Sequence, residues 1–193
     1  MLIEVENTPN PATRKFLPGR TVMDSGGRDF ATADAAAASP LAEAIFAIGA
    51  VDGVYFGRDF VSVSAAPGAE WRHLEPEVLT ILLDHFLLDS PLFRHGDAAA
   101  IEVADANETR FGDDDPADAE IIDQIKELLE TRVRPAVAND GGDIVYRGYR
   151  DGHLYLQMQG ACSGCPSSTI TLKRGIESLI MHYVPEVIAV DAV

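Results

Sequence analysis

Two cysteines, Cys162 and Cys165, are the residues of this chain whose type and spacing most favour metal or redox chemistry. They are the only cysteines among 193 residues, and two positions separate them. In a reducing compartment a structural disulfide is not expected, so a C-x-x-C pair is typical of redox or metal chemistry. Two thiols at this spacing can direct both sulfur atoms at one metal centre.

The segment around the cysteines is predicted to be a loop that leads into a helix. Proline is favoured at the first helical position, so the helix begins near Pro166. Helix N-termini carry partial positive charge and free N–H groups, which favour the metal-binding thiolate, and we therefore expect lowered thiol pKa values. Lys173 and Arg174 either add positive potential or are ordinary solvated helix charges. Gly160 and Gly164 either allow close approach to a bulky cluster or form a plain tight turn.

The number of ligands limits which centre the chain can hold. Iron–sulfur clusters usually take four cysteines, and a structural zinc ion takes four ligands, commonly Cys or His. One chain offers two cysteines. Either centre therefore implies a homodimer in which two copies, related by a two-fold axis, supply the ligands. Separation of the subunits would release such a centre, which suits transfer to other proteins as a functional hypothesis.

The histidines do not complete a site within one chain. His153, on a predicted hairpin, and His182, at the end of the last helix, each lack a second histidine at ligand spacing. We expect both to be surface or capping residues. The same expectation holds for His73, His85 and His95 in the N-terminal half.

The elements that position the cysteines are predicted in the order α-β-β-α-β. An apolar stripe predicts a helix over residues 118–133, which Pro135 is expected to end. Alternating residues 143–149 and 153–159 flank a turn and predict a hairpin. Residues 186–190 predict a short last strand. The helix after the cysteines has its apolar residues on or near one face: Ile170, Leu172, Ile176, Leu179 and Ile180.

The N-terminal half also mixes strands and helices. Alternation, turn residues and helical spacing of apolar residues define its elements. The predicted elements are strands at residues 2–6, 14–17, 51–56 and 60–64, a helix beginning at Pro40 after a Ser39 N-cap, and an amphipathic helix over residues 75–88.

An acidic break divides the chain. Three consecutive aspartates lie between Gly112 and Pro116, and repelling charges beside helix breakers are typical of a solvated linker. We therefore predict an N-terminal domain at residues 1–106, a linker at 107–117 and a C-terminal domain at 118–193. The predicted fold class is α+β, with two small α/β-sandwich-type domains joined by the acidic linker.

The formal net charge is −16. This charge argues against binding to nucleic acid or to anionic membranes, which both prefer basic patches. It suits basic protein partners or only reflects a solvated surface. The sequence shows neither an apolar run of roughly 18 residues nor an N-terminal signal pattern, so no membrane helix is expected. We expect the protein in the cytoplasm, or in the mitochondrial matrix if a targeting segment has been removed.

Short motifs in both halves carry a resemblance to a known family. The C-terminal half has N-D-G-G-D at residues 139–143, G-x-C-x-x-C-P-S-S at 160–168 and T-L-K-x-G-I-E at 171–177. The N-terminal half has T-P-N-P-x-x-x-K-F-L-P-G at 8–19 and A-A-x-S-P-L-A at 36–42. With these motifs the chain resembles the Nfu family of iron–sulfur cluster scaffold and carrier proteins. One half is similar to the Nfu N-terminal domain, and the other to the NifU C-terminal domain.

The resemblance implies a function for the cysteines. It implies a labile [4Fe–4S] cluster bound between two protomers through Cys162 and Cys165, with [2Fe–2S] as the less favoured type. It further implies a homodimer on cluster binding, an upstream cluster donor, and apo iron–sulfur recipients that the N-terminal domain helps to choose. Asp143 either hydrogen-bonds near the cysteine loop or only starts the hairpin. Residues 8–19 form either a recognition surface or a turn fixed by prolines.

Two other functions remain open, and both use the C-x-x-C pair. A thiol–disulfide redox protein has this motif at a helix start, although here no aromatic residue precedes Cys162 and the βαβ unit is missing. A zinc-bridged structural dimer would use the same thiolates. The sequence contains no nucleophile elbow, P-loop or G-x-G-x-x-G motif, so we expect no enzymatic turnover.

Overall fold

A computed structural model describes residues 2–94, 115–163 and 166–193 of the chain. Within these ranges the strands form two sheets, and the buried apolar side chains form two separate clusters, one in each half. Helices from the same half contribute to each cluster. The α+β class with two small layered units is therefore confirmed.

The N-terminal sheet is antiparallel throughout. In chain order its strands are β1 (Glu4–Asn7), β2 (Thr13–Leu17), β3 (Arg28–Phe30), β4 (Val51–Phe56) and β5 (Val61–Ala65). Their order across the sheet is β1-β2-β5-β4-β3, with Phe16 opposite Val61 and Val54 opposite Val63. The predicted β4–β5 hairpin is confirmed, whereas the three-residue β3 has no counterpart among the predicted strands.

Helices pack on one side of this sheet. They are α1 (Ala33–Ala36), α2 (Pro40–Phe46) and α3 (Trp71–Leu87). Ser39 Oγ accepts a hydrogen bond from the Ala42 N–H at 3.2 Å, which confirms the predicted N-cap. α3 begins about one turn before the predicted start, ahead of Pro76. The Trp71 ring lies 6.4 Å from the Phe16 ring, and this contact stabilises the additional turn.

The two faces of the N-terminal sheet differ in chemistry, as the alternation of a strand requires. One face contributes these side chains to the apolar core: Phe16, Val54, Phe56, Val61 and Val63. The opposite face includes Lys15, Tyr55 and Ser62, which are only 6%, 2% and 2% exposed. Polar groups at this depth need hydrogen-bond partners. The C-terminal half supplies those partners.

The C-terminal half has the predicted order α-β-β-α-β. Its elements are a 3₁₀ turn (Pro116–Asp118), α4 (Ala119–Leu128), a π-helical turn (Leu129–Val133), α5 (Arg134–Asn139), β6 (Gly142–Arg150), β7 (His153–Gly160), α6 (Pro166–Tyr183) and β8 (Ala189–Ala192). β6 and β7 form the predicted antiparallel hairpin, and β8 pairs with β7 in parallel. The last strand lies a few residues later than predicted.

Pro135 does not end the first C-terminal helix, contrary to the prediction. α5 continues through it to Asn139. In a regular α-helix proline removes an N–H and its ring clashes with the carbonyl four residues earlier. Here the π-helical turn Leu129–Val133 comes directly before α5. Its i→i+5 bonding widens the helix, so the proline is accommodated where a regular helix would stop.

The C-terminal core lies between the helices and the three-stranded sheet. Ile125, Leu154, Leu156 and Ile180 are fully buried in it. The predicted apolar face of α6 is confirmed for Ile180 and its neighbours in the stripe, Leu172, Ile176 and Leu179, which belong to or pack against the same cluster. Ile170 departs from the stripe, because its side chain is 53% exposed.

The predicted linker lies mostly outside the described residues. Residues 107–114 fall there, and Asp115 then caps the 3₁₀ turn through the Ala117 N–H at 2.9 Å. The boundaries proposed at residues 106 and 118 stay predictions. Each helix within the described ranges lacks the length or the apolar character that a bilayer span needs.

Candidate metal centre

The cysteine loop joins β7 to α6 at the end of the C-terminal sheet. Gly160 ends β7 with φ of +63°, a left-handed conformation that favours glycine. Its carbonyl accepts hydrogen bonds from the Ser163 N–H at 3.1 Å and from the Ser163 hydroxyl at 2.8 Å. Cys162 thus lies in a tight turn ahead of the helix, where it was predicted. Cys165 and Gly164 lie outside the described residues, so the role of Cys165 as second ligand stays a prediction.

The backbone of β6 packs directly against the Cys162 thiol. Gly142 is opposite Gly160 in the β6–β7 ladder, and a Cβ on Gly142 would lie 2.6 Å from Cys162 Sγ. The Ala161 N–H donates to the Gly141 carbonyl at 3.1 Å. A side chain at position 142 would therefore collide with the thiol in this arrangement.

The N-terminal half contacts the same loop through its polar sheet face. Asn10 Nδ2 donates to the Ala161 carbonyl at 3.2 Å. The Gly160 N–H donates to Asp29 Oδ1 at 3.2 Å, and burial raises the pKa of that carboxyl more than this hydrogen bond lowers it. The residue immediately before Cys162 is therefore held by a side chain from the other half of the chain.

Asp143 connects the two halves behind the thiol. Arg134 pairs with its carboxylate through Nη2 at 2.6 Å and Nε at 2.9 Å, and Tyr55 OH donates to it at 3.2 Å. The Ile144 N–H also donates to Oδ1 at 2.8 Å. Burial, and then the Asp143 charge, raise the pKa of Tyr55, while the Asp143 hydrogen bond raises the pKa of Arg134. Asp143 therefore does more than start a hairpin, because its carboxylate binds Arg134, Tyr55 and the Ile144 N–H.

The Cys162 thiol is more strongly protonated than predicted. It is 5% exposed, and burial raises its pKa to about 12, with the Asp140 and Asp143 carboxylates adding to the shift. Removal from water and nearby negative charge both disfavour the thiolate. The expected lowering of this pKa by the helix N-terminus is wrong for Cys162.

A cavity of about 660 Å³ opens beside Cys162. Pro9 and Asn10 from the N-terminal half line one part of it, and Arg132 and Asp140 contribute its charged groups. Apolar residues of the C-terminal helices line the remainder: Val133, Ala136, Val137, Leu172, Ile176 and Leu179. The thiol therefore borders a mainly apolar space between the two halves.

The histidines stay away from Cys162 in the described structure. His153 Nδ1 lies 2.9 Å from Asp191 Oδ2, and Lys173 Nζ lies 3.7 Å from the other carboxylate oxygen. His182 contacts the Tyr183 ring, and His95 lies outside the described residues. Across residues 2–94, 115–163 and 166–193, no group of three or more His, Cys, Asp or Glu side chains could hold a metal ion.

Sequence reasoning missed the N-terminal residues that contact the loop. Asn10, Asp29, Tyr55 and Ser62 lie on turns and strands whose polar alternation is equally consistent with a solvent-exposed sheet face. The T-P-N-P motif at residues 8–11 was the available signal. The motif predicts a recognition surface or a turn fixed by prolines, and the structure shows that its Asn10 contacts the cysteine loop.

Comparisons with known proteins agree with this organisation. A family model described as "Scaffold protein Nfu/NifU N terminal" matches residues 3–89, and one described as "NifU-like domain" matches residues 125–191. The mitochondrial NifU-like proteins 4 and 5 of Arabidopsis thaliana are 47% and 46% identical over 99% of this chain, which spans 65% and 67% of their lengths. This chain belongs to the Nfu/NifU scaffold family.

Other members of the Nfu/NifU scaffold family are similar over the whole chain. The mitochondrial "NFU1 iron-sulfur cluster scaffold homolog" of Drosophila erecta is 43% identical over 100% of this chain and 65% of its own length. The chain thus spans about two thirds of the curated relatives that it matches. A solved NifU-like protein from Saccharomyces cerevisiae aligns over 49% of this chain and 86% of its own, with 20% identity and a TM-score of 0.45.

Proposed function

We propose that this Nfu/NifU scaffold protein binds a labile [4Fe–4S] cluster between two protomers through Cys162 and Cys165 and passes it to apo iron–sulfur proteins. The observation that carries the proposal is the position of Cys162, in a turn at the sheet end, in a chain that has one other cysteine three positions away. Since a cluster usually takes four cysteines, two copies complete the ligand set.

The protonation of Cys162 supports a labile centre. Binding to iron requires the thiolate, so a thiol whose pKa is raised to about 12 must release its proton as the cluster binds. Proton competition weakens binding more than at a preformed thiolate. A cluster held in this way is easier to release to a recipient.

The partners follow from the carrier role. An upstream protein donates the cluster, and apo iron–sulfur proteins accept it. Relatives named as mitochondrial, one of them as an iron-sulfur cluster scaffold homolog, support the mitochondrial matrix rather than the cytoplasm as the compartment. We propose that the chain catalyses no reaction of its own and that the cluster is its cargo.

Anaerobic reconstitution with iron and sulfide tests the proposal. Mössbauer spectra combined with native mass measurement should give one [4Fe–4S] cluster per two chains. A [2Fe–2S] spectrum would correct the cluster type. A colourless zinc-bridged dimer, or a monomer with a clean two-electron dithiol couple, would overturn the proposal in favour of a structural or a redox role.

The transfer step needs its own measurement with a matched control. The loaded protein is mixed with an apo enzyme that requires a [4Fe–4S] cluster, and recovery of that enzyme's activity is followed with and without a chelator. Ser163→Ala changes the loop between the cysteines without removing a thiol, so this variant should still load. Transfer that the chelator abolishes would show release of free iron and would contradict a carrier role.

A further inference from the structure

The polar face of the N-terminal sheet is buried against the cysteine hairpin, defined as residues 141–163 with β6 and β7. Ser62 Oγ donates to the Gly141 carbonyl at 2.6 Å, and Asn10 Nδ2 donates to the Ala161 carbonyl at 3.2 Å. Asp29 accepts from the Gly160 N–H at 3.2 Å. These contacts join side chains of the N-terminal half to backbone groups at the start of β6 and at the end of β7, next to Cys162.

This face packs closely against the hairpin because two hairpin positions are glycines without a side chain. A Cβ on Gly160 would lie 3.0 Å from the Tyr55 ring, and a Cβ on Gly141 would lie 2.9 Å from Ser62 Oγ. Side chains at these two positions would force Tyr55 and Ser62 to shift. The polar face therefore matches a glycine-rich hairpin that presents N–H and carbonyl groups.

In the docked arrangement the N-terminal half lies beside the thiol. Cys162 is 5% exposed, and Pro9 and Asn10 line the cavity beside it. Thiolates from two copies must reach one cluster if they are to share it. The N-terminal half occupies space next to the loop that a second copy would need.

We infer that the polar face of the N-terminal sheet is a docking surface for the chain's own cysteine hairpin, and that the two must separate before two copies share a cluster. The second part rests on the proposed function. The two apolar cores are separate clusters, and hydrogen bonds from Asn10, Tyr55 and Ser62 join the halves. Polar contacts between domains are those expected to open and close.

Alkylation of Cys162 in the apo protein tests the docking. In a Cys165→Ala background Cys162 is the only thiol, so its rate with iodoacetamide at fixed pH reports its exposure. Ser62→Arg places a bulky side chain against Gly141 while the apolar neighbours on β5 stay unchanged. We expect the rate to rise about tenfold or more, which corresponds to about 1.4 kcal/mol of lost docking.

Controls separate docking from general destabilisation. Thr80→Arg adds the same charge on the exposed side of α3 and should leave the rate unchanged. The double variant Asn10→Ala, Tyr55→Phe removes two polar contacts without added bulk and should raise the rate if Ser62→Arg disrupts folding. Circular dichroism checks the fold, and small-angle X-ray scattering checks whether the halves separate.

Several results would overturn the inference. One is a parent protein whose scattering already shows separated halves. Another is an unchanged alkylation rate in variants whose halves have separated, because the hairpin alone would then bury the thiol. With both cysteines present, the Ser62→Arg variant should also form the cluster-linked dimer several-fold faster. An unchanged rate would contradict the inference that the docked N-terminal half keeps a second copy away from the cluster. If no variant binds iron while Cys162 exposure still changes, the proposed function fails and the docking stands.

Discussion

Each half of the chain contains an antiparallel hairpin followed by a helix, but the two junctions differ. In the N-terminal half β5 leads through residues 66–70 into α3, whose N-cap Glu70 makes no side-chain capping bond. In the C-terminal half β7 leads into a turn that begins at Gly160 and buries Cys162 against β6. The same order of elements therefore yields a connection in one half and a candidate metal site in the other. The chemistry belongs to the junction and not to the hairpin–helix frame.

The two hairpins also differ in their neighbours. β4 and β5 lie inside a five-stranded sheet, whereas β6 is an edge strand of a three-stranded sheet. The N-terminal hairpin uses Tyr55 and Ser62 to contact the cysteine hairpin. One hairpin thus leads into the loop with the candidate ligand Cys162, and the other packs against that hairpin.

The largest expected effect is loss of the site at the C-terminal junction. Cys162→Ala and Cys165→Ala should each abolish iron binding and cluster-linked dimerisation, because each is present in both copies and so removes two of the four thiolates. Iron analysis with native mass measurement on the reconstituted protein gives the outcome. Both variants should keep the circular dichroism of the parent. A variant that unfolds without metal would show instead that the centre is structural.

The next prediction compares thiol reactivity at the two junctions. In the Cys165→Ala background the alkylation rate of Cys162 should keep rising with pH towards about 12, rather than level off near the ordinary thiol value of 9.0. Burial and nearby carboxylates favour the neutral thiol, so the reactive thiolate appears only at higher pH. The matched control is Glu70→Cys in a chain without the native cysteines, since position 70 is exposed. A Cys162 profile that levels off together with the control would contradict the buried, carboxylate-flanked thiol.

Separate cores predict separate stability effects. Leu82→Ala in α3 and Ile180→Ala in α6 each truncate a fully buried side chain and should cost about 2–5 kcal/mol. Guanidinium unfolding followed by the fluorescence of Trp71, the single tryptophan, reports the N-terminal half. Only Leu82→Ala should shift that transition strongly, while circular dichroism detects both variants. Equal shifts in the Trp71 signal would mean that the halves unfold as one unit.

The smallest effect comes from a matched pair of glycines in the two hairpins. Gly142→Ala should cost about 1–3 kcal/mol because its Cβ meets Cys162 Sγ at 2.6 Å. Gly53→Ala should be neutral or stabilising by roughly 0.4–1 kcal/mol, since its Cβ finds its nearest neighbour at 3.7 Å. Denaturation midpoints measure both. Iron content should also fall for Gly142→Ala alone. Equal effects of the two variants would contradict the closer packing at Gly142 than at Gly53.

Local sequence patterns were sufficient to predict most of the helices and strands. The alternation in β4, β5, β6 and β7 identified both hairpins, and the Ser39-Pro40 pair located the start of α2. These features depend on residues close in sequence. β3 and α1 are too short to give a periodic pattern, so they were missed.

The features that failed depend on distant parts of the chain. A helix N-terminus lowers a thiol pKa in isolation, but the packing of Gly142, Asp140 and Asp143 around Cys162 reverses the direction. Nothing in the sequence near Cys162 indicates that Asn10 lies beside its loop. The position of Cys162 in a turn ahead of a helix was therefore predictable from the local sequence, whereas the environment of its thiol required the tertiary structure.

The π-helical turn Leu129–Val133 shifts the helical register within the first C-terminal helix. One extra residue in the turn rotates everything after it by about 100° relative to a regular α-helix. With this rotation Val133 and Val137 stay on the core side along with Ile125, while Arg134 reaches Asp143. Deletion of a single residue in this turn would swing Arg134 away from Asp143 and disconnect the helix from the hairpin that carries Cys162.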